Sequence, residues 1–75
     1  MDSPHVEVTV ESSRFSVWRD GDRVEVIRLS REMLPRLSVV LARAEGAIRQ
    51  ATGCRVVAGS LKGDQAVVTA RLACG

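Results

Sequence analysis

One stretch decides the fold: RFSVWRDGDRVEVI, residues 14–27, in which two alternating apolar runs flank Asp20-Gly21. Asp-Gly is favoured in type I′ turns, because both central residues of such a turn need positive φ. We therefore expect a β-hairpin whose loop is Asp20-Gly21 and in which Trp18 lies opposite Arg23. Since side chains alternate along a strand, this turn separates a core face from a water face.

The same hairpin predicts which valines meet in the core: Val17 opposite Val24. Residues 5–11 alternate between polar and apolar side chains, which predicts a half-buried strand before the hairpin. We expect Ser12-Ser13 to join it to the next strand, with a bulged or looser connection as the alternative. The third strand covers residues 23–29, so the N-terminal half reads as a three-stranded meander.

Residues 30–52 predict one amphipathic helix, because their apolar side chains recur at helical spacing in a single stripe. Ser30 is a suitable N-cap, and Gly53 is a suitable residue to follow the helix end. Pro35 is acceptable only near a helix start, since an interior proline loses a hydrogen bond. Either residues 30–34 form a separate first turn, or the regular helix begins near Pro35.

The tail predicts a second hairpin with a three-residue loop at 61–63, where Gly63 takes the left-handed bulge position. This register gathers small and apolar side chains on one face: Cys54, Val56, Ala58, Ala66, Val68, Ala70 and Leu72. The sequence thus predicts an α+β two-layer sandwich of order β-β-β-α-β-β. Its mainly antiparallel sheet carries one long amphipathic helix on one face. Residues 1–75 form a single small domain.

Composition and charge narrow the function classes. Eleven basic and nine acidic residues leave a net charge of +2, which is too weak to indicate nucleic-acid binding by itself. The first residues lack the charged and apolar regions of a secretory signal, and no apolar stretch is long enough to cross a membrane. We expect a cytoplasmic protein with no membrane association.

Catalytic and metal sites find little support in the residue pattern. His5 is the only histidine, and Cys54 and Cys74 are the only cysteines, without CxxC or zinc-ligand spacing. The hairpin register places Cys74 about four residues beyond the partner of Cys54, too far for a disulfide unless the tail folds back. We expect Cys54 to be a core residue, and we expect no metal, no cofactor and no enzymatic activity.

The sheet face away from the helix is the first candidate binding surface. Its candidate residues combine arginines, one aromatic ring and apolar side chains: Arg14, Trp18, Arg23, Ile27, Arg55, Val57, Val67 and Arg71. Arginines beside an aromatic ring can hold phosphates while a base stacks. The alternatives are a protein interface, a local cation–π pair of Trp18 with Arg23, and a solvated face with cross-strand ion pairs.

A strip of small or apolar residues along the exposed side of the helix is the second candidate: Val39, Ala42 and Gly46. A glycine inside a helix costs about 1 kcal/mol relative to alanine, so Gly46 invites a packing explanation. One explanation is close approach of a second helix in a dimer.

We expect a small non-enzymatic binding or assembly module, which interacts with another protein or forms a homodimer. An exposed apolar patch on the sheet would mark such an interface. The alternative is a nucleic-acid-binding domain that uses the arginines and Trp18 of the open sheet face.

Overall fold

A computed structural model describes residues 5–30 and 36–74 of the chain. It contains, in order, β1 (His5–Val10), β2 (Ser13–Asp20), β3 (Arg23–Arg28), α1 (Leu37–Thr52), β4 (Arg55–Val56), β5 (Lys62–Gly63) and β6 (Val67–Ala73). The strands form one antiparallel sheet of order β1-β2-β3-β6-β4, and β5 pairs with β6 as well. With α1 packed on one face, the expected α+β two-layer fold is confirmed.

The core lies between α1 and the inner face of the sheet. Alternate residues of β2, β3 and β6 supply one side of it: Phe15, Val17, Val24, Val26, Val68, Ala70 and Leu72. The helix supplies Val40, Ala44, Ala47 and Ile48, as its apolar stripe predicts. Leu37, the first residue of the helix, departs from that stripe and is exposed.

The helix begins near Pro35, the second of the two expected starts, and not at Ser30. Arg36 is the N-cap residue and makes no side-chain capping bond. Gly53 ends the helix as expected, with a φ of 74° and its N–H bonded to the carbonyl of Arg49. Met33, Leu34 and Pro35, which belonged to the predicted stripe or its start, lie outside the described residues.

Both N-terminal hairpins differ from prediction by one residue in the turn. The second loop is Gly21-Asp22 rather than Asp20-Gly21, and Val17 lies opposite Val26. Gly21 alone takes positive φ there, 63°, as type II′ turns require at their first central position. The first loop is Glu11-Ser12, with Glu11 at a φ of 57°, which leaves Ser13 inside β2.

These one-residue changes in the loops move each register by two positions. Because the side-chain period of a strand is two, every side chain keeps its predicted face. Phe15 and Val17 are therefore buried under the helix as expected. The cross-strand partners change: Trp18 lies opposite Glu25 and His5, not opposite Arg23.

The predicted C-terminal hairpin is wrong in its loop. The turn lies at Asp64, whose side-chain Oδ1 accepts hydrogen bonds from the N–H groups of Ala66 at 2.8 Å and Val67 at 2.9 Å. Gly63 stands in β5, and the strand that precedes the turn is interrupted by an excursion of residues 57–61. Ala58 and Ala66 are exposed as a result, although the predicted register buried them.

This longer connection changes the pairing of the cysteines. Arg55 lies opposite Ala73, so Cys54 and Cys74 are the next pair along the same ladder. Their Cα atoms are 4.7 Å apart and they form a disulfide. The expectation that Cys74 lies too far away is wrong, because it assumed a register four residues shorter.

Candidate functional site

The outer face of the sheet, which α1 does not cover, presents its side chains in cross-strand rows. One row runs across five strands through His5, Trp18, Glu25, Thr69 and Lys62. On one side lies the row of Asp20, Arg23 and Arg71, and on the other the row of Glu7, Ser16, Ile27 and Val67. The same face therefore carries an aromatic ring, cations and acids within neighbouring positions.

Trp18 is held in place by neighbours on its own sheet. Its ring stacks on that of His5, with centroids 4.2 Å apart and planes inclined by 17°. Its indole Nε1–H donates a hydrogen bond of 3.0 Å to Oγ of Ser16, which is only 4% exposed. A buried indole N–H normally finds such a partner. The half-buried ring is thus fixed locally, by stacking on His5 and not by the alternative cation–π pair with Arg23.

Arg23 and Arg71 lie directly opposite each other on β3 and β6. Like charges in this position repel each other. Asp22 forms an ion pair with Arg71 at 3.3 Å, and both side chains are more than half exposed, so the pair contributes at most about 1 kcal/mol. Arg23 has no hydrogen-bond or ion-pair partner among the described residues. Its guanidinium is available to a ligand.

The row from Trp18 to Lys62 and the row of Asp20, Arg23 and Arg71 line an open cavity of about 650 Å³. Trp18, Arg23, Lys62 and Arg71 are among its lining residues, and so are the acids, Asp20 and Glu25. The size is that of sites which accept a small ligand or a few residues of a partner. Both signs of charge are present, which distinguishes the cavity from a uniformly cationic groove.

The excursion between β4 and β5 forms one wall of this cavity. Ser60 is anchored there, since its Oγ donates to the carbonyl of Val57 at 2.7 Å and accepts from the N–H of Arg71 at 3.1 Å. The Val57 N–H in turn donates to the Arg71 carbonyl at 2.9 Å. These bonds replace regular strand pairing beside Arg71 and bring Ser60 and Lys62 to the cavity.

The structure brings only part of the predicted sheet-face site together. Trp18, Arg23 and Arg71 line the cavity, whereas Arg14 lies at the far end of the face and pairs with Glu7 at 3.3 Å. The other predicted residues lie outside the cavity lining: Ile27 and Val67 opposite each other and half-buried, Arg55 exposed on β4, and Val57 exposed in the excursion. Ser60 and Lys62 were missed, because the predicted hairpin placed them at its loop.

The predicted helix strip is not one continuous exposed surface. Val39 and Ala42 are exposed, but Gly46 is half-buried on the flank of α1 that faces β1. A Cβ atom built on Gly46 would lie 3.7 Å from Cγ1 of Val10. This is an ordinary contact distance, so packing against β1 does not require a glycine at this position.

The acidic residues of the described part of the chain form no cluster of metal ligands, and one of them, Asp64, has a structural role in a turn. No group of three or more His, Cys, Asp or Glu residues that could hold a metal ion occurs among residues 5–30 and 36–74. The pKa of Asp64 is lowered by hydrogen bonds from the backbone of Val67 and Ala66, which belong to the turn before β6. That carboxylate is fully exposed and shapes the turn.

Comparison with protein-family models, with curated proteins and with solved structures gave no match to this chain. In the described residues, no helix is both long and apolar enough to cross a membrane.

Proposed function

We propose that this chain is a small, non-enzymatic protein-interaction module that binds its partner in the cavity on the outer face of the sheet. The observation that carries the proposal is the open cavity of about 650 Å³ around Trp18, Arg23 and Arg71. Tryptophan and arginine are the residues most often found at the energetic centre of protein interfaces. A ring held by His5 and Ser16 loses little freedom when a partner covers it.

The mixed charges of the cavity favour a protein partner over a polyanion. Asp20 and Glu25 stand among the cations that line the cavity, and Asp22 pairs with Arg71. A protein surface supplies complementary groups of both signs, and this arrangement selects one partner against others. A phosphate backbone would meet repulsion from the two acids in the cavity.

Site-specific photo-crosslinking tests the proposal in the cell that makes the protein. A photoreactive phenylalanine derivative replaces Thr69, which lies between Glu25 and Lys62 on the outer face. The matched control carries the same group at Ser38, which is exposed on the helix at the other side of the molecule. We expect a discrete protein adduct from position 69 only. Identical adducts from both positions, or nucleic-acid adducts alone, would contradict a protein site on this face.

Binding of the purified crosslinked partner then measures the contribution of the ring. We expect Trp18→Ala to weaken binding by about 2 kcal/mol or more, roughly thirtyfold in Kd, if the ring lies at the centre of the interface. Arg36→Ala, at the N-terminal end of the helix, should leave the affinity unchanged. If Trp18→Ala and Arg36→Ala weaken binding equally, the partner does not bind in the cavity.

Single-stranded nucleic acid is the second candidate occupant of the same face. Arg23 directly opposite Arg71, with Trp18 nearby, is the observation that favours it. In that case an oligonucleotide should quench Trp18 fluorescence, and its affinity should fall steeply with rising salt. Unchanged fluorescence at low salt would dismiss this candidate.

The expected cytoplasmic location stays a prediction, and the Cys54–Cys74 disulfide weighs against it. Disulfides persist in oxidising compartments and are rare in the cytosol, where glutathione and thioredoxin keep thiols reduced. Thiol labelling of the protein directly after cell lysis distinguishes the two locations, because only a reduced protein takes up two labels.

A further inference from the structure

β1 is an edge strand with the features of a pairing surface. It is the first strand of the sheet order β1-β2-β3-β6-β4, and its six residues, HVEVTV, are regular throughout. The strand lacks three of the usual devices that protect an edge, since it has no proline, no lysine and no bulge. Strand β4, at the opposite edge, has two residues and is followed by the excursion of residues 57–61.

The backbone groups that point away from the sheet can be assigned. The N–H of Leu29 donates to the carbonyl of Arg14 at 2.7 Å, so the backbone of Arg14 faces β3. Bonding alternates along an antiparallel strand, so Ser13, Phe15 and Val17 turn their backbone groups towards β1. Their partners there are Val10, Val8 and Val6. The N–H and C=O groups of the intervening residues, His5, Glu7 and Thr9, therefore point out of the sheet edge.

The side chains of β1 do not oppose the approach of another strand. Glu7 is the only acid in the strand, and Arg14 of the neighbouring strand pairs with it at 3.3 Å. Val6 is 48% exposed, the largest exposure among the exposed large apolar residues that the structure describes. It lines a second cavity, of about 410 Å³, between the strand and the end of α1 at Ala51 and Thr52.

We propose that β1 pairs with β1 of a second copy of this chain, which joins the two sheets into one across a two-fold axis. The self-complementarity of the strand selects this occupant, since a two-fold contact presents the same patch on both sides. Inner valines then meet inner valines, and outer polar residues meet outer polar residues. In the register centred on Val8, Glu7 lies opposite the partner's Thr9, so that two Glu7 carboxylates do not face each other. Val6 lies opposite the partner's Val10 and becomes covered.

Sedimentation equilibrium over a range of protein concentration tests this dimer. We expect the wild-type mass to double with rising concentration, and the exchange of the Glu7 and Thr9 amide protons to slow in parallel. The amides of Val6 and Val8 are already bonded to β2, so their exchange is the internal reference. A protein that remains monomeric up to millimolar concentration would overturn the proposal.

Two substitutions locate the contact. Thr9→Pro removes an N–H that points out of the edge and leaves the β1–β2 ladder intact. Val6→Lys places a charge at the valine that the dimer would cover. Its matched control is Val57→Lys, at another exposed valine, which lies beside β6 and away from β1. We expect Thr9→Pro and Val6→Lys to raise the dimer dissociation constant by about tenfold or more, because each dimer carries the change twice.

The outcomes separate this proposal from the one for the cavity. If Val57→Lys weakens the dimer as much as Val6→Lys does, the contact is not at β1. Circular dichroism shows whether the Thr9→Pro variant folds. If that variant is unfolded, Val6→Lys, which introduces no proline into the strand, tests the contact. A monomeric Val6→Lys protein should still give the adduct from position 69, since that position lies on the outer face of a different strand.

Discussion

Gly46 is a helical glycine that its surroundings in the chain do not require. It lies on the flank of α1 that faces β1, and a Cβ atom there would meet Val10 at 3.7 Å, an ordinary contact distance. Alanine therefore fits without displacement of the strand.

We expect Gly46→Ala to raise the free energy of unfolding by up to about 1 kcal/mol, because alanine loses less backbone entropy in a helix than glycine does. Urea unfolding measures the change. The reciprocal control, Ala42→Gly at an exposed position of the same helix, should lower stability by a similar amount. If Gly46→Ala destabilises the protein, the added methyl group does not fit beside Val10.

Gly63, in contrast, is required by its surroundings. It stands in β5 at a φ of 149°, and a Cβ atom there would overlap the carbonyl oxygen of Val67 and lie 2.7 Å from Cα of Val68. Neither of these atoms can move without disturbing β6.

We expect Gly63→Ala to destabilise the protein by about 2 kcal/mol or more, since strained backbone alone costs about 1–3 kcal/mol. Gly59→Ala is the matched control: its φ of 79° is also unfavourable for alanine, but no atom lies within 4 Å of the added Cβ. Equal losses in the two variants, measured by urea unfolding, would show that the contact with β6 is unimportant.

At the scale of the elements, the turn between β5 and β6 depends on one carboxylate. Asp64 accepts hydrogen bonds from the N–H groups of Val67 and Ala66, and these bonds lower its pKa below the ordinary value of an aspartate. A carboxyl whose pKa is lower in the folded state stabilises that state above its ordinary pKa. The contribution disappears as the pH falls through the folded pKa.

We therefore expect the amide protons of Ala66 and Val67 to exchange with solvent more readily, relative to the rest of the sheet, when the pH is lowered from 5 to 3, that is, to about one unit below the ordinary aspartate pKa. NMR measurement of amide exchange, corrected for the intrinsic pH dependence, detects this change. Asp64→Asn keeps an acceptor oxygen but cannot titrate, so its exchange should lack the pH-dependent step. A step of the same size in that variant would assign it to another group.

Prediction of the side-chain faces succeeded in the N-terminal meander, whereas prediction of the strand pairing failed in the C-terminal hairpin. In the meander, a two-position shift of register leaves each side chain on its face, so the inner and outer faces follow from the alternation alone. The turn residue is less certain, because Gly21 fits the second position of one turn type and the first of another. In the tail, Ser60 replaces regular strand pairing, and local propensity does not show a bond to Arg71, eleven positions away.

At the scale of the whole molecule, the Cys54–Cys74 disulfide ties the start of β4 to the end of β6. It closes a loop with a sequence separation of 20 in a chain that buries a small core. The link restricts the unfolded chain more than the folded one.

We expect reduction of this disulfide to lower the free energy of unfolding by about 3 kcal/mol, the value for loops of this length. Urea unfolding with and without dithiothreitol measures the difference. The Cys54→Ala/Cys74→Ala double variant should match the reduced wild type and should not respond to dithiothreitol. A wild-type protein indifferent to dithiothreitol would show that the link adds no stability.

The candidate site was predictable to the same extent as the strands that carry it. Trp18 and Arg23 belong to a hairpin whose faces follow from alternation, and Arg71 belongs to the long last strand. Lys62 reaches the cavity because of the excursion before β5, and the partner of Trp18 is His5 because of the actual register. The sequence predicts which residues of the site lie on the outer face, but the residues that surround each of them depend on how the strands pair.

The sequence by itself determined the α+β architecture, the faces of the meander and the apolar stripe of the helix. These follow from local periodicity, which requires only neighbours a few positions apart. The tertiary structure decided the register of every hairpin, the disulfide and the cavity beside Trp18. The physical reason is that pairing is fixed by contacts between distant segments, such as Cys54 with Cys74 and Arg71 with Ser60, which alternation leaves undetermined.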